Sequence, residues 1–279
     1  MPTSEKCPIE NMRTIVVASD GSEYSEGAIR EAIQWSKQCG STLYAVCTAQ
    51  VTLGQLQYAP DVVSEIGKAA RQACEAVKSR AHAEGVKCEM VVREGEEPYE
   101  HIVSEAERLK ADVIIIGRRG RRGLMKLLMG SVTHLVIGHA PCNVFVVPRS
   151  GKLTAKRLFI ATDGSENSKK AAKQAICLAK HTQGSLIACS VVHGSIDEAT
   201  ANDNVNTIRA MASAEGVAVE TIVGSGTIYQ EILDKANGYN ADMIVVGARG
   251  RTGGLTKLLM GSIAERVVGM SDRAVMVVR

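Results

Sequence analysis

Two glycine clusters recur in this chain with spacings that differ by one residue and in the same company. The first runs Gly117-Arg118-Arg119-Gly120, then nine residues, then Gly130-Ser131; the second runs Gly247-Ala248-Arg249-Gly250, then ten residues, then Gly261-Ser262. Each follows an apolar run headed by aspartate, DVIII (112–116) and DMIVV (242–246). Glycine has no Cβ and accepts positive φ, so Gly117 and Gly120 are expected to bring main-chain N–H groups close to a bound group. Gly130-Ser131 is expected to open a helix reaching about His139, whose first N–H groups lack helical partners and whose dipole favours negative charge. The chemistry these residues suit is capture of an anion such as a di- or triphosphate.

Charged residues surround both clusters. Arg118, Arg119, Arg121 and Arg122 in the first, and Arg249, Arg251 and Lys257 in the second, are placed to reach phosphate oxygens, with Arg118 the foremost candidate. The alternative is an exposed charged loop that serves solubility. Asp20 ends an earlier apolar run in ASDGSEYS and recurs as Asp163 in ATDGSENS. A carboxylate repels phosphates, so Asp20 is expected to face hydroxyl or N–H donors at the far end of a ligand, or to cap the helix that follows, as Ser22 also would.

These residues need elements to hold them. Apolar, β-branched runs at 14–18, 42–48, 86–92, 112–116 and 143–147 predict five strands, and 157–162, 185–191, 217–223, 242–246 and 274–278 predict five more. Helix-length amphipathic stretches such as 23–39 and 99–110 lie between them. Continuous apolar strands alternating with helices imply an α/β fold, a five-stranded parallel sheet with helices on both faces, doubly wound and present twice in tandem. Ligands in such sheets sit beyond the carboxyl ends of the strands, which is where Asp20 and Gly117 fall. The halves are 1–150 and 151–279, with a short linker around Pro148–Lys156. Asp20 and Asp163 are 143 apart whereas Gly130 and Gly261 are 131 apart, so about a dozen residues are missing from the second copy after its second strand. That segment is expected to be peripheral to the shared site.

Composition excludes several classes. A net charge of +3 and 3% aromatic residues argue against a nucleic-acid surface. No run approaches the roughly 20 apolar residues of a membrane span, and the first residues lack an apolar secretion core, so a cytoplasmic protein is expected. The eight cysteines form no metal-ligand spacing and are expected as reduced, space-filling thiols, with Cys7 the one suspected of reactivity. There is no GxxxxGK[ST], GxGxxG, HExxH or GxSxG motif, and no complete catalytic set. His134 and His139 are read as surface or packing residues.

A strand ending in aspartate before GS, together with GxxG, nine residues and GS, resembles the universal stress protein family, here as a tandem member of its ATP-binding type. The resemblance covers nearly the whole chain and implies an adenine nucleotide alpha hydrolase-like fold. It implies that Ala18, Ser19, Asp20 and Val46 surround adenine and ribose, and that Gly117, Arg118, Gly120, Gly130, Ser131, Val132 and Thr133 hold the phosphates, the hydroxyls of Ser131 and Thr133 donating. The corresponding second set is Ala161, Thr162, Asp163 and Cys189, then Gly247, Ala248, Gly250, Gly261, Ser262 and Ile263. Its loop is one residue longer, and Ala264 replaces Thr133; a lost donor to phosphate would cost about 1.5–3 kcal/mol, so weaker binding is expected there. The implied cofactor is ATP, with Mg²⁺ held by nucleotide and Ser131. The resemblance further implies pairing of the last strands, 143–147 with 274–278, giving an intrachain pseudo-dimer or a homodimer of tandems. An interaction module that needs no nucleotide and a slow ATPase are the competing functions.

Overall fold

In a computed structural model, residues 9, 12–120, 129–194, 196–250 and 260–279 are described. The first half runs β1 (Thr14–Ser19), α1 (Glu26–Cys39), β2 (Thr42–Gln50), α2 (Leu53–Tyr58), α3 (Pro60–Ala83), β3 (Cys88–Gly95), α4 (Pro98–Arg108), β4 (Val113–Gly117), α5 (Ser131–His139) and β5 (Asn143–Val147). The second runs β6 (Arg157–Ala161), α6 (Glu166–Thr182), β7 (Ser185–Val192), α7 (Glu198–Ala214), β8 (Val219–Ser225), α8 (Ile228–Gly238), β9 (Met243–Gly247), α9 (Ser262–Met270) and β10 (Ala274–Val278). All ten expected strands form, shifted by no more than a few residues.

Strand order is β3-β2-β1-β4-β5-β10-β9-β6-β7-β8. Within each half the neighbours are parallel, with registers such as Ala18↔Val46 and Ala161↔Cys189. β5 and β10 pair antiparallel, Met276 opposite Phe145, so the two five-stranded sheets fuse into one of ten strands. The last strands thus close on each other inside one chain, and each removes an edge the other would expose.

Both faces of this sheet are covered, which explains the unbroken apolar strands. Ile15 and Val17 join one buried cluster with Trp35, Phe145 and Leu158, while Val16 and Ala18 join the other with Ile137, Val144 and Phe159. Side chains alternate between faces at period two, so a strand buried on both sides must be apolar at every position. Each fully buried valine or isoleucine stabilises by about 1.5–3 kcal/mol. The strand-heading aspartates have matching duties: Asp112 Oδ2 accepts from Arg13 N and Thr14 N at 2.7 and 2.8 Å, and Asp242 Oδ2 from Lys156 N and Arg157 N at 3.0 and 2.8 Å. They tie the start of the fourth strand of each half to the start of its first.

The linker is pinned to α1. Leu153 N donates to Glu31 Oε2 at 2.8 Å, Trp35 Nε1 donates to the Leu153 carbonyl at 2.9 Å, and Arg30 Nη2 donates to the Gly151 carbonyl. On α4, the buried Glu105 carboxylate accepts from Arg93 Nε at 3.0 Å and Arg108 Nε at 2.8 Å. Burial works to raise its pKa, but the hydrogen bonds and charges of Arg108 and Arg93 outweigh it and hold the carboxyl below its ordinary value. A lowered folded-state pKa adds stability above the unfolded value, near 4.5, that is lost as the pH falls through the folded one. Glu105→Gln should therefore lower stability by about 1.5–3 kcal/mol at pH 7 and by clearly less at pH 3, as denaturant melts at the two pH values would show.

The cysteines are largely core residues. Burial pushes the Cys142 and Cys189 thiols up to about 12 and Cys88 up to about 11, which keeps them protonated and unreactive. Cys39, half-buried at the end of α1, is disulfide-bonded, which corrects the expectation of a reduced thiol there. Cys7 lies outside the described residues.

Candidate functional site

Each half builds the same tight turn at the end of its first strand. Asp20 Oδ1 accepts from Ser22 N at 3.0 Å and Ser22 Oγ at 2.7 Å, while Gly21 N donates to Ser19 Oγ at 3.1 Å. In the second half Ser165 N donates to Asp163 Oδ1 at 3.0 Å and Gly164 N to Thr162 Oγ1 at 3.2 Å. Gly21 and Gly164 take φ of 74° and 75°, a left-handed backbone that explains glycine between the aspartate and the serine. Asp20 therefore organises the turn with one oxygen, and Ser22 caps the following turn without a side-chain bond.

The other oxygen faces the glycine cluster. A Cβ placed on Gly120 would lie 2.7 Å from Asp20 Oδ2, and one on Gly250 would lie 2.7 Å from Asp163 Oδ2. Turn and cluster are thus in contact across the carboxyl ends of the first and fourth strands, in both copies. Gly117 is required for a different close approach, since its Cβ would lie 2.8 Å from the Tyr24 carbonyl oxygen. Neither Gly117 nor Gly120 has positive φ; close packing, not unusual dihedrals, is what excludes a side chain.

Within each cluster the later glycine is bonded back to the residue after the first. Gly130 N donates to the Arg118 carbonyl at 2.9 Å, and Gly261 N to the Ala248 carbonyl at 2.9 Å. Gly130 and Gly261 are then the N-caps of α5 and α9, and among the described residues no side-chain cap bond is made at either helix. The first N–H groups of a helix have no helical acceptor and lie at its positive dipole end, and in the first half the residues that open α5 line the same space as Asp20. Arg121, Arg122, Arg251 and Lys257 lie outside the described residues.

In the first half these parts border a cleft of about 1100 Å³. Ala18, Ser19, Asp20, Val46, Gly117, Gly120, Gly130, Ser131, Val132 and Thr133 all line it. Arg118 is the exception. Its guanidinium donates from Nη1 to the Ser271 carbonyl of the second half, and Arg119 lines the cleft instead. Thr133 needs a second correction: its buried hydroxyl donates to the Gly117 carbonyl at 2.8 Å and anchors the end of β4 rather than offering a proton to a ligand. The buried Ala264 in the second half thus lacks an anchor, not a phosphate donor.

The segment present in the first copy alone is not peripheral. It forms α2 and the opening turns of α3, and Asp61, Val62, Glu65 and Ile66 wall the cleft, together with Glu97, Pro98 and Ile102 at the start of α4. The wall was missed because the repeat offset signals where residues are added but not which way they fold. It adds the carboxylates of Asp61 and Glu65 to a lining that also holds Asp20, Glu97 and Arg119. In the second half α7 begins later, and its Asn204 comes to the turn instead: a Cβ on Gly164 would lie 2.2 Å from Asn204 Oδ1. Among the second set, Thr162, Cys189 and Ala248 are buried, while Ala161, Asp163, Gly247, Gly261 and Ile263 are partly exposed and Gly250 and Ser262 are exposed.

Comparison with known proteins places this geometry. The model of the universal stress protein family matches residues 11–148 and again 154–279. A universal stress protein of Methanocaldococcus jannaschii is 36% identical over 151 residues, covering 51% of this chain and 86% of its own. The universal stress protein YxiE of Bacillus subtilis is 31% identical over 144 residues, covering 48% of this chain and 97% of its own. Over both halves, the crystal structure of a universal stress protein from Archaeoglobus fulgidus superposes with a TM-score of 0.77 at 24% identity, covering 96% of this chain and 99% of that one. This last likeness is one of fold.

Proposed function

The chain belongs to the universal stress protein family, and from that premise we propose that it binds ATP in the cleft beside each glycine cluster and acts in stress response through binding rather than efficient turnover. The observation that carries this reading is the contact of the aspartate turn with the uncapped helix cradle, in both copies, at a spacing that a single Cβ would fill. Main-chain donors and Arg119 suit the polyphosphate; Ala18, Val46 and the carboxylates beyond them suit a purine and its ribose, with Asp20 accepting from hydroxyl or amino groups. Mg²⁺ would accompany the nucleotide, held by its phosphates and the Ser131 hydroxyl. The second site, with a longer loop, no Thr133 equivalent and Asn204 over its turn, is the weaker of the two.

We take 1–150 and 151–279 as the two units, working in the cytoplasm. Their last strands already pair within the chain, so a dimer of tandems would need another surface. Purified protein should carry adenine nucleotide by mass spectrometry and should melt several degrees higher with millimolar ATP and Mg²⁺. Absence of both bound nucleotide and thermal shift would refute the reading. Phosphate release above the buffer rate would instead favour the slow ATPase.

A further inference from the structure

Each cradle helix ends against the opposite half of the chain. α5 has Ala140 as its C-cap and α9 has Ser271. The Ala140 carbonyl accepts from Arg279 Nε at 3.1 Å, and the Ser271 carbonyl accepts from Arg118 Nη1. The two helices also meet at their fourth residues, where His134 Nδ1 lies 3.5 Å from Glu265 Oε1. The capping arginines are not copies of one another. At the offset of the glycine clusters, Arg279 corresponds to Pro148, and Arg118 has Ala248 as its counterpart. The chain has therefore reached the same contact twice, from unrelated positions.

Both guanidinium groups are partly withdrawn from water. Burial, with Arg119 alongside, pulls Arg118 below the usual arginine range, and burial, with Arg249 alongside, does the same to Arg279. A cation at the carboxyl end of a helix complements its negative pole and satisfies a terminal carbonyl. A nine-residue helix is about 13 Å long, short enough for a partly buried charge at one end to favour an anion at the other.

We propose that Arg118 and Arg279 are crossed positioning residues, Arg118 acting through α9 on anion binding at the second cradle and Arg279 acting through α5 on the first. This rests on the anion-binding reading of the cradles, but reverses the assignment of Arg118 that its place between Gly117 and Gly120 suggests.

The test is an amide NMR titration of the full chain, following the Gly130 and Gly261 N–H resonances to obtain a Kd for each site. ATP with Mg²⁺ is the first probe, and pyrophosphate, which needs no purine pocket, is the second. Arg118→Gln should raise the ratio of second-site to first-site Kd by about two- to tenfold, and Arg279→Gln should lower it by a similar factor. Arg118→Lys, which keeps the charge, should restore the ratio in part. A ratio that stays constant, or moves the opposite way, overturns the proposal; equal weakening at both sites with a lower melting temperature would mark these arginines as seam residues only. Pyrophosphate binding without ATP binding would sink the nucleotide reading and leave the crossed ratio to be read. If neither anion binds either site, both fall.

Discussion

Gly120→Leu is expected to empty the first cleft of ATP while the second keeps its affinity. The added Cβ would begin 2.7 Å from Asp20 Oδ2, closer than such atoms approach. Asp20 has little freedom to retreat, because its other oxygen is held by Ser22 N and Ser22 Oγ. The rest of the leucine would then enter the space between turn and cradle, where the ligand is to lie. A loss of at least about 100-fold in Kd, some 2.7 kcal/mol, is expected. Calorimetric stoichiometry should fall from two nucleotides per chain to one, with only the tighter phase removed. Retention of two sites of wild-type affinity would mean that the ligand does not use this gap.

The largest effect on stability is expected at Gly27, in the first turn of α1. A Cβ there would lie 2.1 Å from the Pro148 carbonyl oxygen and 2.9 Å from that of Arg149. Both neighbours are backbone, and the linker they belong to is itself held to α1 through Glu31, Trp35 and Arg30. Relief requires α1 to lift from the linker. Gly27→Ala should therefore cost about 3 kcal/mol or more, at the upper end of what overpacking produces, although alanine favours a helix over glycine by about 1 kcal/mol. A chemical melt that shows stabilisation would mean that the linker shifts at no cost.

Much of this architecture can be read from one dimension. Strands buried on both faces must be apolar throughout, so the ten runs stand out, and α5 begins and ends where Gly130-Ser131 and His139 suggested. The turn and the cradle were legible because they depend on residue types that few positions demand: aspartate for a carboxylate acceptor, glycine for left-handed backbone or close approach. What escaped depends on direction. Whether Arg118 or Arg119 faces the cleft, and whether the Thr133 hydroxyl serves a ligand or the Gly117 carbonyl, is decided by neighbours from distant parts of the chain. The wall made by α3 escaped for the same reason, since Asp61 and Glu65 carry no local pattern that says what they enclose.

The antiparallel pairing of β5 with β10 has a consequence for how such a protein can change. In an assembly of identical chains every substitution is duplicated, and association weakens on dilution. Here the partners are covalently joined, so their union is unimolecular and indifferent to protein concentration. Each copy is free to drift alone, which is how one half can keep a walled, capacious hollow while its sibling lacks that wall within the same polypeptide.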